Sequence, residues 1–130
     1  MFKYIRTLNA CSGIVETTSL PMPESEMLAC EIGTICSMSN GRLARELSTN
    51  GAKYLVLSRP NKKGEQTCLR IMPGMILEAS CYSETDNWKV GDNAFFNESP
   101  DGVVDTVDHG GTDCEILAIN SSYNVTVIVN

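Results

Sequence analysis

LACEIGTICSMSNG, residues 28–41, is the stretch on which the fold class turns. Leu28, Cys30, Ile32, Cys36 and Met38 fall on one side of an extended chain, with Glu31, Gly33 and Ser37 on the other. That period of two is the mark of a strand with one buried face. Asn40-Gly41 follows at once, and Asn-Gly is the strongest short hairpin signal because both central residues of the turn need positive φ. Beyond it, RLAREL (42–47) has two readings. Leu43 and Leu47 either alternate along a return strand, or form one stripe of a short helix capped by Asn40 and stopped by Gly51. The return strand is preferred, because the segments on both sides read as strands.

The same grammar extends along the chain. After Asn50-Gly51, KYLVLS (53–58) is rich in β-favouring residues and ends at Arg59-Pro60, where proline stops pairing. The basic turn NKKGE (61–65) leads into TCLRIM. Pro73-Gly74 suits the centre of a type II turn, and MILEASCY (75–82) continues as a strand. Val90-Gly91-Asp92 marks a turn, NAFFN (93–97) a short strand and Pro100-Asp101-Gly102 another turn. VVDTV, CEILAIN and NVTVIVN complete the pattern, with Val125, Val127 and Val129 on one face. The expected fold is all-β, a small barrel or sandwich of short antiparallel strands with an extended N-terminal segment. Residues 1–27 are read as an arm or a first strand, with a proline-containing linker in SLPMPES, and 28–130 as a single β domain.

At 130 residues the chain suits one core. Its first residues lack the apolar run of a secretory signal, and no stretch is apolar for the length of a membrane span, so a soluble protein made in the cytosol is expected. The six cysteines show no CxxC spacing and are expected as reduced core fillers rather than a disulfide framework. The net charge of −6 conceals blocks: +2 over 1–15, −4 over 16–41, +5 over 42–77 and −9 over 78–130. An acidic C-terminal half repels phosphate backbones, which argues against nucleic acid, while the basic middle could meet an acidic protein surface.

DTVDHGGTDCE (105–115) holds the lone histidine, His109, among Asp105, Asp108, Asp113 and Glu115. One histidine is too few for histidine-rich zinc chemistry, and the calcium-loop, nucleophile-elbow and phosphate-loop patterns are absent. Asp105 and Asp108 would point to opposite faces of one strand. His109-Gly110-Gly111 is therefore expected as a hydrated hairpin tip, and no catalytic residue, metal ligand or cofactor is assigned. Trp88 is expected as a lid on one end of the core. Candidate partner-binding residues are Phe2, Lys3, Tyr4 and Arg6 in the N-terminal segment and Lys62 and Lys63 in the basic turn.

EIGTICSMSNGRLARE (31–46), NGAKYLVLSRP (50–60), LRIMPGMILEA (69–79), KVGDNAFFNESPDGVV (89–104) and CEILAINSSYNVTVIVN (114–130) together resemble the small β-rich head decoration, or auxiliary capsid, proteins of tailed bacteriophages. The resemblance lies in the order of strands and turns across 28–130, without a diagnostic motif. It implies a non-enzymatic virion protein that binds the outer capsid lattice, often as a symmetric oligomer, with the major capsid protein and copies of itself as partners. On that reading, removing residues 1–22 should leave a folded domain with weakened shell attachment. The alternatives are a small β-barrel binding module for a carbohydrate or host protein, using Trp88, Tyr82 and Phe96, and a metal-dependent enzyme.

Overall fold

Asn40 and Gly41 have φ of +52° and +76°, the two positive values that a tight two-residue hairpin demands. They join β3 (Ile35–Ser39) to β4 (Arg42–Ala44), so the return strand is what forms after the turn. The computed structural model describes residues 1–8, 17–23, 29–45, 51–81, 84–96, 103–105 and 113–130. Among them the chain is all-β, with a single 3-10 turn at Thr85–Asn87. Among the described residues no helix is long and apolar enough to cross a membrane.

The chain divides into two compact units, one of Met1–Ile14 with Met72–Asn130 and the other of Val15–Ile71. This differs from a single domain of 28–130 preceded by a 1–27 segment. The reason is pairing: the N-terminal segment is a strand of the sheet made by the C-terminal half, and residues just after it supply an edge strand to the middle segment. The division also regroups charge. The first unit carries three basic side chains against ten acidic, net −7, and the second seven against six, net +1.

The first unit contains β1 (Phe2–Thr7), β7 (Met75–Cys81), β8 (Asn93–Phe96), β9 (Val103–Asp105), β10 (Cys114–Ser121) and β11 (Asn124–Val129). β7 pairs with β11, β11 with β10, β10 with β8 and β8 with β9; β9 then pairs with Ser80 and Cys81 of β7 in parallel, so the ring closes into a barrel. β1 occupies the other part of that β7 edge, from Met75 to Ala79. Inward and outward residues alternate as closure requires: Leu77 and Ala79 face Val127 and Val125 across the ladder and are buried, while Glu78 and Thr126 between them are half-buried. Bulges at Tyr4/Arg6, Ile116/Ala118 and Ile119/Ser121 bend β1 and β10. Pro73-Gly74 makes the turn into β7, with the Met75 amide donating to the Met72 carbonyl at 3.2 Å and Gly74 at φ +88°.

The second unit contains β2 (Thr17–Pro21), β5 (Tyr54–Val56) and β6 (Glu65–Arg70) together with β3 and β4, in the order β2-β6-β5-β3-β4, all antiparallel. The sheet curls until its edges approach, and the Arg42 guanidinium donates to the Met22 carbonyl at 3.1 Å. Inside the curl lie Cys30, Cys36, Leu43, Val56 and Cys68, with Leu20, Met38 and Tyr54 packed against them. On the opposite face Ile35, Leu55 and Leu69 form a cross-strand row that is also buried. Burial on both faces explains why YLV reads as a continuous apolar run.

The strand expected through residues 28–38 is shorter than its pattern. Glu31–Thr34 forms a turn, closed by the Thr34 amide and hydroxyl on the Glu31 carbonyl at 3.2 and 2.6 Å, with Gly33 at φ +85°. Ile32 therefore points to solvent, 45% exposed, instead of sharing the face of Cys36 and Met38.

Candidate functional site

The loop between β5 and β6, residues 57–64, carries Arg59, Lys62 and Lys63 and no acid, and all three cations are exposed. Side chains at its base hold it in shape. The Asn61 carboxamide oxygen accepts from the Lys63 and Glu65 amides at 2.9 and 3.0 Å, which is why asparagine suits the start of such a turn. Asn61 also exchanges backbone bonds with Glu65 and Gly64, and Gly64 has φ +71°. The Ser58 hydroxyl accepts from the Thr67 amide at 2.8 Å, and buried Gln66 donates to the Ser58 carbonyl at 3.0 Å. A further bond ties the loop to the end of β2, the Met22 amide donating to the Gly64 carbonyl at 2.9 Å. Three positive charges are thus presented on a braced scaffold, which lowers the entropy lost when a partner docks.

The N-terminal candidates separate by side-chain direction. Phe2 is 3% exposed and packs edge to face on Phe96, so it is a core residue and not a surface contact. Tyr4 is half-buried, and its hydroxyl hydrogen-bonds Thr7 Oγ1 at 2.7 Å. Lys3 and Arg6 are exposed, Lys3 opposite Glu78 in the ladder. Between the two expectations for this segment, a core strand or an arm, residues 2–7 form the strand. Lys62 and Lys63 belong to the other unit.

His109 and Asp108 lie outside the described residues, so the expected hairpin tip is not described. Asp105 ends β9, and the backbone around Asp113 ties three strands together. The Asp113 carboxylate accepts from the Phe96 amide at 2.9 Å, its own amide donates to the Ala94 carbonyl at 3.0 Å, and its carbonyl accepts from the Asn130 amide at 3.0 Å. Trp88 is buried, its amide bonded to the Thr85 carbonyl, while the Thr85 hydroxyl and amide bond to the Ser121 and Ser122 carbonyls, so this short segment is fastened to the β10–β11 turn. Trp88 and Phe96, two of the aromatic contacts considered for a ligand-binding module, are both spent on packing; Tyr82 lies outside the described residues.

Sequence spacing did not bring out a group of thiols inside the second unit. Cys30, Cys36 and Cys68 come from the segment before β3, from β3 and from β6, and the curl of the sheet puts them in one cluster. Interaction with the Cys36 side chain, together with burial, raises the Cys30 thiol far above the usual range, while the interaction with Cys30 lowers Cys36 to about 7 against the opposing effect of burial. Thr34 Oγ1 lies 3.6 Å from Cys36 Sγ, and the Arg45 cation also favours a thiolate there. Cys68 donates to the Gln66 carbonyl at 3.5 Å, and burial pushes it up to about 12. All five described cysteines are buried. Among the described residues no three His, Cys, Asp or Glu side chains converge to hold a metal ion.

Compared with protein-family models, with curated proteins and with solved structures, the chain gives no significant match.

Proposed function

We propose that this is a non-enzymatic structural protein that binds a protein lattice, and specifically that it decorates and stabilises the outer capsid of a tailed phage after synthesis in the host cytoplasm. The braced basic loop at Arg59, Lys62 and Lys63 carries the reading. It carries three exposed cations on a backbone braced by Asn61, an arrangement suited to an acidic protein surface, where complementary charge sets register and speeds encounter. The order of strands and turns that resembles decoration proteins supports the same reading. So does the contrast between a unit of net −7 and one of net +1, since copies side by side on a lattice could oppose unlike charges. Modest contacts per copy are enough when many copies bind together.

The test is co-sedimentation of the purified protein with undecorated phage shells at low and high salt. Saturable binding that weakens as salt rises, and weakens further with Lys62→Glu and Lys63→Glu, is expected. Absence of binding at low salt would overturn the proposal.

A further inference from the structure

The thiol cluster has no part in the proposed lattice binding, yet it is chemically asymmetric. Cys30 and Cys36, six residues apart in sequence, sit in one packed buried cluster. Their closeness is built in from both sides. Gln66, fully buried on β6, accepts from the Cys30 amide at 3.2 Å and donates to the Cys30 carbonyl at 2.8 Å, which fixes the backbone that carries the first thiol. Cys36 is held on β3 by the ladder to Tyr54. The third thiol, Cys68, is engaged by the Gln66 carbonyl.

We propose that Cys30 and Cys36 form a dithiol that hydrogen peroxide closes to a disulfide. The inference is independent of what the protein binds. Cys36 is the attacking sulfur: its thiolate takes the terminal oxygen of the peroxide, the O–O bond breaks, and Cys36 becomes a sulfenic acid while hydroxide leaves and is protonated to water. The Cys30 sulfur then attacks the Cys36 sulfur, the S–OH bond breaks and a second water departs, carrying the Cys30 proton. Two thiols and one peroxide become one disulfide and two waters, the sulfurs losing two electrons to the peroxide oxygens. Cys30 and Cys36 are 4% and 1% exposed, so the oxidant must be nearly as small as water, which peroxide is. The product joins the segment before β3 to β3 itself. It also tethers the backbone that shares Gln66 with Ser58 at the base of the basic loop.

The experiment uses the full chain, reduced and folded, exposed to graded hydrogen peroxide, then alkylated, digested and mapped by mass spectrometry. The expected result is that the first disulfide joins Cys30 to Cys36 while Cys68, Cys81 and Cys114 remain alkylated, and that it persists in Cys68→Ser and vanishes in Cys36→Ser. A first disulfide between Cys36 and Cys68 would overturn the proposal. So would Cys30 and Cys36 both remaining alkylatable at peroxide levels that oxidise an exposed cysteine peptide. Both readings come from the wild-type chain, so the conclusion survives a variant that fails to fold.

Discussion

Phe2 and Phe96 meet edge to face, with ring centroids 5.3 Å apart and planes at 89°. The second residue of the chain is thereby joined to β8, ninety-four positions later, inside one barrel. Edge-to-face pairs add about 0.5–1.5 kcal/mol beyond the area they bury. Phe2→Ala should therefore lower stability by roughly 3–5 kcal/mol, read as a shift in the urea midpoint. Removing residues 1–22, which the sequence alone suggested a folded domain would survive, takes away β1 from one sheet and β2 from the other. That truncation is expected to lose the cooperative unfolding transition, and a retained transition of full amplitude would contradict the assignment of β1 to the core.

Charge reversal in the basic loop should separate binding from folding. Lys62 and Lys63 are exposed, and the bonds that brace the loop run through the Asn61 side chain and the backbone. Lys62→Glu with Lys63→Glu should change stability by no more than about 0.5 kcal/mol, while capsid co-sedimentation falls sharply. Replacing Asn61 with Ala is the complementary case: the cations remain, but two loop amides lose their acceptor, and weaker binding with intact charge is expected.

Gln66 is the most demanding position in the second unit. Its carboxamide serves the amide and carbonyl of Cys30 and the carbonyl of Ser58. Gln66→Leu keeps the shape and strands those three backbone groups, each costing roughly 1–3 kcal/mol when buried without a partner. A loss of several kcal/mol is expected in urea unfolding, with faster amide exchange at Cys30 as the local signature.

The thiols predict a stability profile with a turning point. Cys36 is depressed from 9.0 to about 7, so between pH 7 and 9 the native state releases a proton that the unfolded chain keeps. Stability from this group is present above pH 9 and is lost as pH falls through 7. Cys68, raised to about 12, and Cys114, raised by burial with its thiol donating to the Ala94 carbonyl, act the other way. Their contribution is complete below pH 9 and is lost as pH rises beyond it. The urea midpoint should therefore climb from pH 7 to 9 and decline above 9, and Cys36→Ser should remove the climb alone.

The strands were legible wherever one face is wet. NVTVIVN alternates because Val125, Val127 and Val129 turn into the barrel and their neighbours do not. Asn40-Gly41 and Pro73-Gly74 were legible because positive φ restricts which residues can occupy a turn. Ile32 misled because an apolar residue in phase with a strand carries no sign that Gly33 has already turned the chain. The basic loop could be read from composition, but its bracing by Asn61, Ser58 and Gln66 could not. The bonds of Gln66 join residues far apart in sequence.

Local sequence determined the all-β class, the tight turns and the alternating faces, because dihedral preference and the side-chain period of two act between near neighbours. Which strands share a sheet was decided only by the tertiary structure: β1 joins strands from residue 75 onward, while residues 17–71 make a sheet of their own. The same is true of Phe2 in the core and of three thiols in one cluster. Pairing between distant strands is settled by the collective burial of many apolar side chains, and a linear pattern records each of those side chains without recording its partner.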